Sequence, residues 1–208
     1  MIKGIKHIIF DLGGVLINLD HNRTQDAFAT LGLTNFEEIW GTVQQTPLFD
    51  DFETGKISRQ DFIATIRNIA GINASDEEIT NAWNALLLDF PLRRLQILQQ
   101  LRIHYDLLLL SNTNEIHEEA FNKILMDNNG MPNIGVFFDK VYLSHRIGMR
   151  KPNKEIFDRV LSENQLKPEH TLFIDDYLPN TEAANELGIQ TIYLDKGMTI
   201  EKDIFLPK

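Results

Sequence analysis

Residues 5–15, Ile-Lys-His-Ile-Ile-Phe-Asp-Leu-Gly-Gly-Val, decide the fold of this chain. Residues 5–10 are rich in isoleucine and phenylalanine and predict a buried strand, which ends where Asp11 interrupts the apolar run. Asp11 therefore lies just beyond the carboxyl end of that strand. In open α/β sheets, ligands bind beyond the carboxyl ends of the strands. The stretch thus predicts one element of the core and one residue of a candidate site.

Four later apolar runs, each bounded by polar or turn residues, predict further buried strands. They lie at residues 107–110, 141–143, 171–174 and 191–194. Between these runs, apolar residues recur at intervals of three and four, which indicates helices. Strands that alternate with helices are typical of a parallel sheet covered on both faces. The sequence therefore predicts an α/β fold with a Rossmann-like parallel sheet.

About ninety residues separate the first predicted strand from the second, against the dozen or more that a crossover needs. Three apolar stripes fall in this interval, and each follows a residue pair typical of a capping box. The pairs are Thr34 with Glu37, Ser58 with Asp61, and Ser75 with Glu78. We predict an inserted helical cap domain at residues 19–91. The α/β core domain then comprises residues 1–18 and 92–208, and a helix at residues 92–101 returns the chain to the sheet.

The composition narrows the classes of function. The 208 residues carry a formal net charge of −10, which does not favour general binding to nucleic acids or anionic membranes. The chain contains no cysteine, so disulfides, thiolate catalysis and cysteine-ligated metals are excluded. No apolar run is long enough to span a bilayer. We expect a cytoplasmic protein in which oxygen or imidazole groups bind any metal.

Polar residues also follow the other predicted strands at the edge where Asp11 lies. They are Ser111 and Asn112 after the second strand, Lys151 in the loop after the third, and Asp175 and Asp176 after the fourth. Each alone has an ordinary explanation as a capping or turn residue. Together they bring three carboxylates, a hydroxyl and an ammonium into one crevice. Clustered carboxylates repel one another unless a cation binds between them. Mg²⁺ prefers oxygen ligands and is therefore the cation that we expect here.

In this order, four short segments resemble the four motifs of the haloacid dehalogenase (HAD) superfamily, whose members are mostly phosphohydrolases. The segments are Asp11-Leu-Gly-Gly-Val, Leu110-Ser-Asn, Lys151-Pro and Phe173-Ile-Asp-Asp. The resemblance spans nearly the whole chain. The long insertion after the first motif is similar to the helical cap of one class of the superfamily. Four motifs in order at predicted strand ends are far more specific than any single one.

The resemblance implies a hydrolase that acts on a small phosphorylated metabolite. Asp11 would attack phosphorus and form an aspartyl-phosphate, which water then hydrolyses. Mg²⁺ would be bound by Asp11, the backbone carbonyl of Gly13 and Asp176, with Asp175 as an outer ligand. The resemblance leaves the oligomeric state open.

The resemblance also implies a set of groups for the phosphate. Lys151 would neutralise the phosphoryl oxygens and pair with the nucleophile, so that it counts as both a catalytic and a substrate-binding residue. The Ser111 hydroxyl and the Asn112 backbone N–H would donate hydrogen bonds to the same oxygens. Asn180 would orient the acidic loop.

Gly13 departs from the superfamily pattern. Most phosphatases of the superfamily have a second aspartate there, which protonates the leaving oxygen, a contribution of typically ~10²- to 10⁴-fold. Glycine occurs at this position in a subgroup that includes bacterial glucose-1-phosphate phosphatases, and residues 11–23, 55–58, 110–114 and 148–152 resemble that subgroup. Because an anomeric hydroxyl is comparatively acidic, the substitution favours a hexose 1-phosphate as substrate.

Two alternatives remain open on the sequence. A 2-haloacid dehalogenase would attack carbon without a metal, but the acidic pair Asp175 and Asp176 argues against it. The second alternative is a phosphate-binding protein that has lost catalytic activity because of Gly13. A protein that only binds phosphate would not need clustered buried charges, which argues against this alternative. The six histidines have no metal-ligand spacing, and the tryptophans are interpreted as core residues of the cap. We expect residues 21–23 and 49–55 of the cap to face the substrate.

Overall fold

The computed structural model describes residues 2–33, 36 and 46–205. Within these residues, five parallel strands form one sheet in the order β3-β2-β1-β4-β5. The strands are β1 (His7–Phe10), β2 (Asp106–Ser111), β3 (Lys140–Leu143), β4 (Thr171–Asp175) and β5 (Gln190–Tyr193). All five predicted strands are confirmed, with ends shifted by one or two residues. β1 is central, so its carboxyl end has neighbours on both sides.

Nine α-helices are described. They are α1 (His21–Thr30), α2 (Leu48–Glu53), α3 (Arg59–Ala70), α4 (Asp76–Asn84), α5 (Leu92–Leu101), α6 (Glu115–Asn129), α7 (Ser144–Ile147), α8 (Lys154–Glu163) and α9 (Leu178–Asn185). Short 3₁₀ turns occur at Ile134–Phe137 and Pro168–His170, and a π-helical turn at Ile200–Ile204. Among the described helices, none is long and apolar enough to cross a membrane.

The sheet is buried on both faces because alternate residues of each strand point to opposite sides. Ile8 and Phe10 of β1 pack into one apolar cluster together with residues of α5 and α6. Ile9 packs into a second cluster with residues of α8 and α9. This three-layer arrangement confirms the predicted α/β architecture with helices on both faces of a parallel sheet.

The helices α1 to α4 lie in the chain between β1 and α5 and share a separate apolar cluster. Its aromatic residues pack closely: the rings of Phe52 and Phe62 are stacked with centroids 4.1 Å apart, and Trp83 contacts Phe62 edge-on. Ile116 of α6 also belongs to this cluster, so the core supports the cap directly. The division of the chain into domains at residues 19 and 91 stays a prediction.

Two of the three predicted capping pairs begin helices. Ser58 accepts a hydrogen bond from the Asp61 backbone at the start of α3, and Ser75 forms a complete capping box with Glu78 at the start of α4. The pair Thr34 and Glu37 lies outside the described residues, as does Trp40. The helix predicted at residues 92–101 is confirmed as α5. No capping pair had indicated α1 or α2.

The apolar stripe predicted after Ser75 and Glu78 consists of Ile79, Trp83, Leu86 and Leu87, and it extends past the end of α4. Leu86 and Leu87 follow its last residue, Asn84. Leu87 instead forms an isolated antiparallel bridge with Leu19. The chain is therefore extended where it enters and leaves the cap, so that the cap is joined to the core through two adjacent segments.

Candidate active site

Asp11 and Asp175 lie side by side because of the strand register. Phe10 of β1 is paired with Ile174 of β4, and in each case the next residue along the chain is the aspartate. The Asp11 backbone N–H donates to the Ile174 carbonyl at 2.9 Å, which extends the pairing to this point. Asp11 is 8% exposed and Asp175 is fully buried. Two neighbouring buried carboxylates need a cationic partner.

Lys151 supplies a cation between them. Its Nζ donates to Asp11 Oδ1 at 2.7 Å and to Asp175 Oδ2 at 2.6 Å, and its side chain is 1% exposed. Although burial disfavours the ammonium, Asp11 and Asp175 raise the pKa of Lys151. Lys151 is therefore a charged group held between the two carboxylates. The predicted pairing of Lys151 with Asp11 is present in the structure.

The third acid, Asp176, is more exposed than the other two. Burial raises its pKa, and the nearby Asp175 adds to the rise. Burial also raises the pKa of Asp11 to about 7; the Lys151 ammonium acts in the opposite direction, while Asp175 and Asp176 add to the rise. Three carboxylates against one ammonium leave an excess of negative charge.

The acidic residues fit a divalent metal ion. Asp11, Asp175 and Asp176 each offer a carboxylate oxygen, and the three oxygens lie within 4.8 Å of one another. Hard cations such as Mg²⁺ prefer oxygen ligands of this kind, and a bound cation would offset the excess negative charge. Gly13 and Asp11 line the same cavity, of about 510 Å³, as Asp175 and Asp176. All four predicted metal-site residues therefore meet in one place.

Asp175 is already saturated with hydrogen bonds. Its Oδ1 accepts from the Tyr177 backbone at 2.8 Å and from Asn180 Nδ2 at 3.1 Å. Its Oδ2 accepts from Lys151 and from the same Asn180 amide at 3.0 Å. A carboxylate has about four acceptor positions, so this arrangement suits an orienting residue better than a direct ligand. These hydrogen bonds are consistent with the predicted role of Asn180 in orienting the acidic loop, which stays a prediction.

Asn112 and Lys151 are joined by a reciprocal pair of hydrogen bonds. Asn112 Nδ2 donates to the Lys151 carbonyl at 2.9 Å, and the Lys151 N–H donates to Asn112 Oδ1 at 2.9 Å. The sequence had assigned only the backbone N–H of Asn112 a role. Ser111 is buried at the end of β2, and its hydroxyl makes a long 3.4 Å hydrogen bond to the Asn112 carbonyl. The Ser111 hydroxyl thus has only a weak internal partner among the described residues.

A second cavity of about 540 Å³ extends from this site between the core and the cap. Gly13, Ser111 and Asn112 line its inner end. The two cavities share four lining residues, namely Gly13, Leu19, His21 and Asn112. A Cβ at Gly13 would lie 2.9 Å from Leu19 Cδ1, so the Leu19 side chain fills the space beside this glycine. A ligand at the acidic site can therefore extend into the cavity beneath the cap.

Two residues that line this second cavity, one from the cap and one from α6 of the core, had no ligand-facing role indicated by the sequence. Trp83 belongs to the cap cluster, as predicted, but also lines the cavity. His117 stacks on it with centroids 5.1 Å apart. Burial lowers the pKa of His117 to about 4, so the ring is neutral at physiological pH. Its nitrogens lie 3.2 Å from the Asn114 amide and 3.2 Å from the Trp83 carbonyl, which fixes the ring in the cavity wall.

Arg150 links the core to the cap. From the sequence alone, Arg150 and Lys151 are consistent with a pair of solvated surface charges. In the structure, Arg150 forms ion pairs with Asp50 and Glu53 of α2. Arg150 Nη2 lies 3.1 Å from Glu53 Oε2. Residues 49–55 were expected to face the substrate, and Asp50 and Glu53 line the two cavities. The role of Arg150 has no local sequence signal because its partners lie about 100 positions away in the chain.

The comparisons with known proteins agree with this geometry. Residues 5–188 match the haloacid dehalogenase-like hydrolase family. The chain is 34% identical to a D-ribitol-5-phosphate phosphatase of Bacteroides thetaiotaomicron over 93% of each sequence. It is similar to the crystal structure of a HAD family enzyme from the same organism, with a TM-score of 0.88, 40% identity and coverage of 94% of this chain and 96% of that one. A crystal structure of that enzyme with magnesium and inorganic phosphate gives a TM-score of 0.82 at 38% identity, over 93% of this chain and 96% of that one. With its four motifs assembled at the carboxyl edge of the sheet, the chain belongs to the haloacid dehalogenase-like hydrolases.

Proposed function

We propose that the protein is a Mg²⁺-dependent phosphomonoester hydrolase that acts on a small sugar phosphate through an aspartyl-phosphate. One observation carries the proposal: Asp11 is held by Lys151 within a cluster of three carboxylates, at the floor of a cavity that continues beneath the cap. The cluster fits a cation, and the cavity offers room for a leaving group. Neither metal-free attack on carbon nor simple phosphate binding explains the whole arrangement.

Asp11 is the proposed nucleophile. A carboxylate oxygen of Asp11 forms a bond to phosphorus as the ester oxygen departs with its electron pair. Water then attacks phosphorus, and the bond to Asp11 breaks to release inorganic phosphate. The Lys151 ammonium, 2.7 Å from Asp11, holds the nucleophile and stabilises negative charge on the phosphoryl oxygens.

The metal site is proposed to consist of Asp11, Asp176 and the Gly13 carbonyl, with Asp175 in an orienting role. When bound, Mg²⁺ offsets the repulsion between the anionic nucleophile and the anionic phosphate. Asp175 holds Lys151 through one oxygen and is itself held by Asn180. The Ser111 hydroxyl and the Asn112 N–H are proposed donors to the phosphoryl oxygens, as the sequence predicted.

The cavity and the relatives support the proposed substrate class. A relative that is 34% identical over nearly all of both chains is a D-ribitol-5-phosphate phosphatase, which supports a small phosphorylated polyol or sugar. Polar cap residues line the second cavity and could bind hydroxyl groups; they include His21, Asn22 and Gln25. Pentitol 5-phosphates and hexose 1-phosphates are the two candidates, the second because Gly13 supplies no side-chain acid.

The test is a hydrolysis screen with and without Mg²⁺, over pentitol 5-phosphates, hexose 1- and 6-phosphates, nucleotides and 4-nitrophenyl phosphate, with Asp11→Asn as control. We expect metal-dependent phosphate release that falls by at least about three orders of magnitude in the variant, because the nucleophile is lost. If Asp11→Asn releases phosphate as fast as the parent, the mechanism is wrong. A faster rate with hexose 6-phosphates than with the matching 1-phosphates would count against the hexose 1-phosphate assignment.

A further inference from the structure

Gly13 leaves the proposed reaction without a proton donor at the position where the superfamily normally has one. The alkoxide of an ordinary alcohol is a poor leaving group, and a general acid contributes typically ~10²- to 10⁴-fold to its departure. The space beside Gly13 is taken by Leu19 rather than by a polar side chain. A substrate such as a pentitol 5-phosphate, whose leaving group is a primary alcohol, therefore needs an acid from elsewhere in the cavity.

Gly13 lines both cavities, and the carboxylates of the 510 Å³ cavity are the metal-site cluster and Asp50, whose side chain is 62% exposed. Among the described residues, three acidic or imidazole side chains line the 540 Å³ cavity beneath the cap. They are His21, Glu53 and His117. His117 is excluded as the donor, because its ring is neutral and both nitrogens face partners within the protein. His21 is solvent-exposed at the first position of α1. Glu53, the last residue of α2, combines a carboxyl group with a partly buried position.

The surroundings of Glu53 suit a group that exchanges a proton. Its side chain is 25% exposed, and its buried Oε2 accepts no hydrogen bond from the described residues. Burial raises the pKa of Glu53 to about 7, with the Lys151 ammonium acting in the opposite direction. A general acid works best when its pKa lies near the working pH. Arg150 lies 3.1 Å from Oε2 and is shared with Asp50. Its charge favours the ionised form of Glu53, so it acts against the rise in pKa and stabilises the carboxylate once the proton has left.

We propose that Glu53 of the cap is the catalytic general acid that takes the place of the missing carboxyl group at Gly13. The inference rests on the proposed phosphatase function. As Asp11 bonds to phosphorus, the bond from phosphorus to the ester oxygen breaks, and the Glu53 carboxyl proton passes to that oxygen to give the alcohol. In the second step, the Glu53 carboxylate accepts a proton from the attacking water. The acid is thereby restored as phosphate leaves.

In this proposal, the reaction needs residues of both the core and the cap. Glu53 lies on α2, whereas Asp11 and Lys151 lie on the core, so the donor and the nucleophile meet only when the cap is in place. The ion pair from Arg150 to Asp50 and the 3.1 Å contact from Arg150 to Glu53 hold α2 against the loop that carries Lys151. A substrate beneath the cap would then be attacked and protonated from opposite sides.

The test compares kcat/KM of Glu53→Gln with that of the parent for leaving groups of different acidity. The substrates are D-ribitol 5-phosphate and a series of aryl phosphates from phenyl to 4-nitrophenyl phosphate. We expect kcat/KM to fall at least about 100-fold for D-ribitol 5-phosphate and to change less than about threefold for 4-nitrophenyl phosphate, whose leaving group needs no proton. Across the aryl series, the dependence on phenol acidity should become steeper. The matched control is Asp51→Asn, which removes a carboxylate from the same helix outside both cavities, and it should leave both rates unchanged.

The pH profile gives a second readout. With the poorer leaving groups, the parent should lose activity as the pH rises through about 7, because the acid becomes deprotonated, and Glu53→Gln should lack this alkaline limb. Equal losses with aryl and alkyl phosphates, or no loss with either, would overturn the proposal for Glu53. A selective loss with alkyl phosphates in His21→Gln instead would assign the donor to His21. If Asp11→Asn hydrolyses 4-nitrophenyl phosphate as well as the parent, the phosphatase function itself fails, whatever Glu53 does.

Discussion

Gly14 and Asp176 approach so closely that only a glycine fits. Gly14 has a φ of +68°, in the left-handed region, and a Cβ added there would overlap the Asp176 carboxylate, lying 2.7 Å from its Cγ. The loop after β1 therefore curves around the acidic loop after β4. Both the backbone conformation of Gly14 and the position of Asp176 require that residue 14 has no side chain.

Gly14→Ala should displace Asp176 and weaken Mg²⁺ binding. We expect an affinity at least about tenfold lower, measured by isothermal titration calorimetry, because a misplaced carboxylate no longer completes the cluster. The matched control is Gly4→Ala, with a φ of +83° and no atoms within 4 Å of the added Cβ. It carries a similar backbone strain of about 1–2 kcal/mol and should leave metal affinity unchanged. Equal metal affinity in the two variants would contradict this account.

Asn112→Ala should impair the position of Lys151. The substitution removes both hydrogen bonds between the Asn112 side chain and the Lys151 backbone. We expect the unfolding free energy to fall by about 2 kcal/mol and kcat/KM for 4-nitrophenyl phosphate to fall about 10- to 100-fold. Asn68→Ala, on the exposed face of α3, is the control and should change neither quantity. Full activity in Asn112→Ala would show that Lys151 is positioned without it.

Lys151→Met should destabilise the protein as well as inactivate it. The change removes the cation from between two buried carboxylates, and breaking a buried ion pair typically costs about 3–5 kcal/mol. Urea unfolding of the metal-free protein at neutral pH measures this loss. Lys154→Met removes an exposed ion pair with Glu186 and should cost less than about 1 kcal/mol. If Mg²⁺ restores much of the stability of Lys151→Met, the repulsion between the carboxylates explains the loss.

Mg²⁺ affinity should depend on pH through Asp11. Without metal, burial raises the pKa of this carboxyl to about 7, with Lys151 opposing the rise, so a proton occupies it below neutrality. Because the metal binds the ionised form, affinity should rise with pH and level off above pH 7, with a slope of about tenfold per pH unit on the acidic side. Titration calorimetry in buffers of different ionisation enthalpy should detect about one proton released near pH 6. Affinity that does not change between pH 5.5 and pH 7.5 would contradict this prediction.

The fold could be predicted because its signals are local. Each strand is a short apolar run, and each run is followed within a few residues by a polar residue of the site, as in Phe10 with Asp11. Parallel pairing places strand ends of the same sense at one edge of the sheet, so the proximity of Asp11 and Asp175 follows from sequence order and sheet type alone. Ser58 and Ser75 likewise act as caps on residues only three positions away.

The sequence by itself determined the α/β architecture, the inserted helical segment and the residues at the strand ends, because each rests on neighbours within one strand or one helical turn. Only the tertiary structure decided how those residues are partnered. Lys151 lies between Asp11 and Asp175, 140 and 24 positions away, and its backbone is held by Asn112 from 39 positions away. Glu53 enters the cavity of Gly13 from the cap, so its burial depends on how α2 packs against the core. Such contacts arise from packing between distant segments, which no local pattern of residue types records.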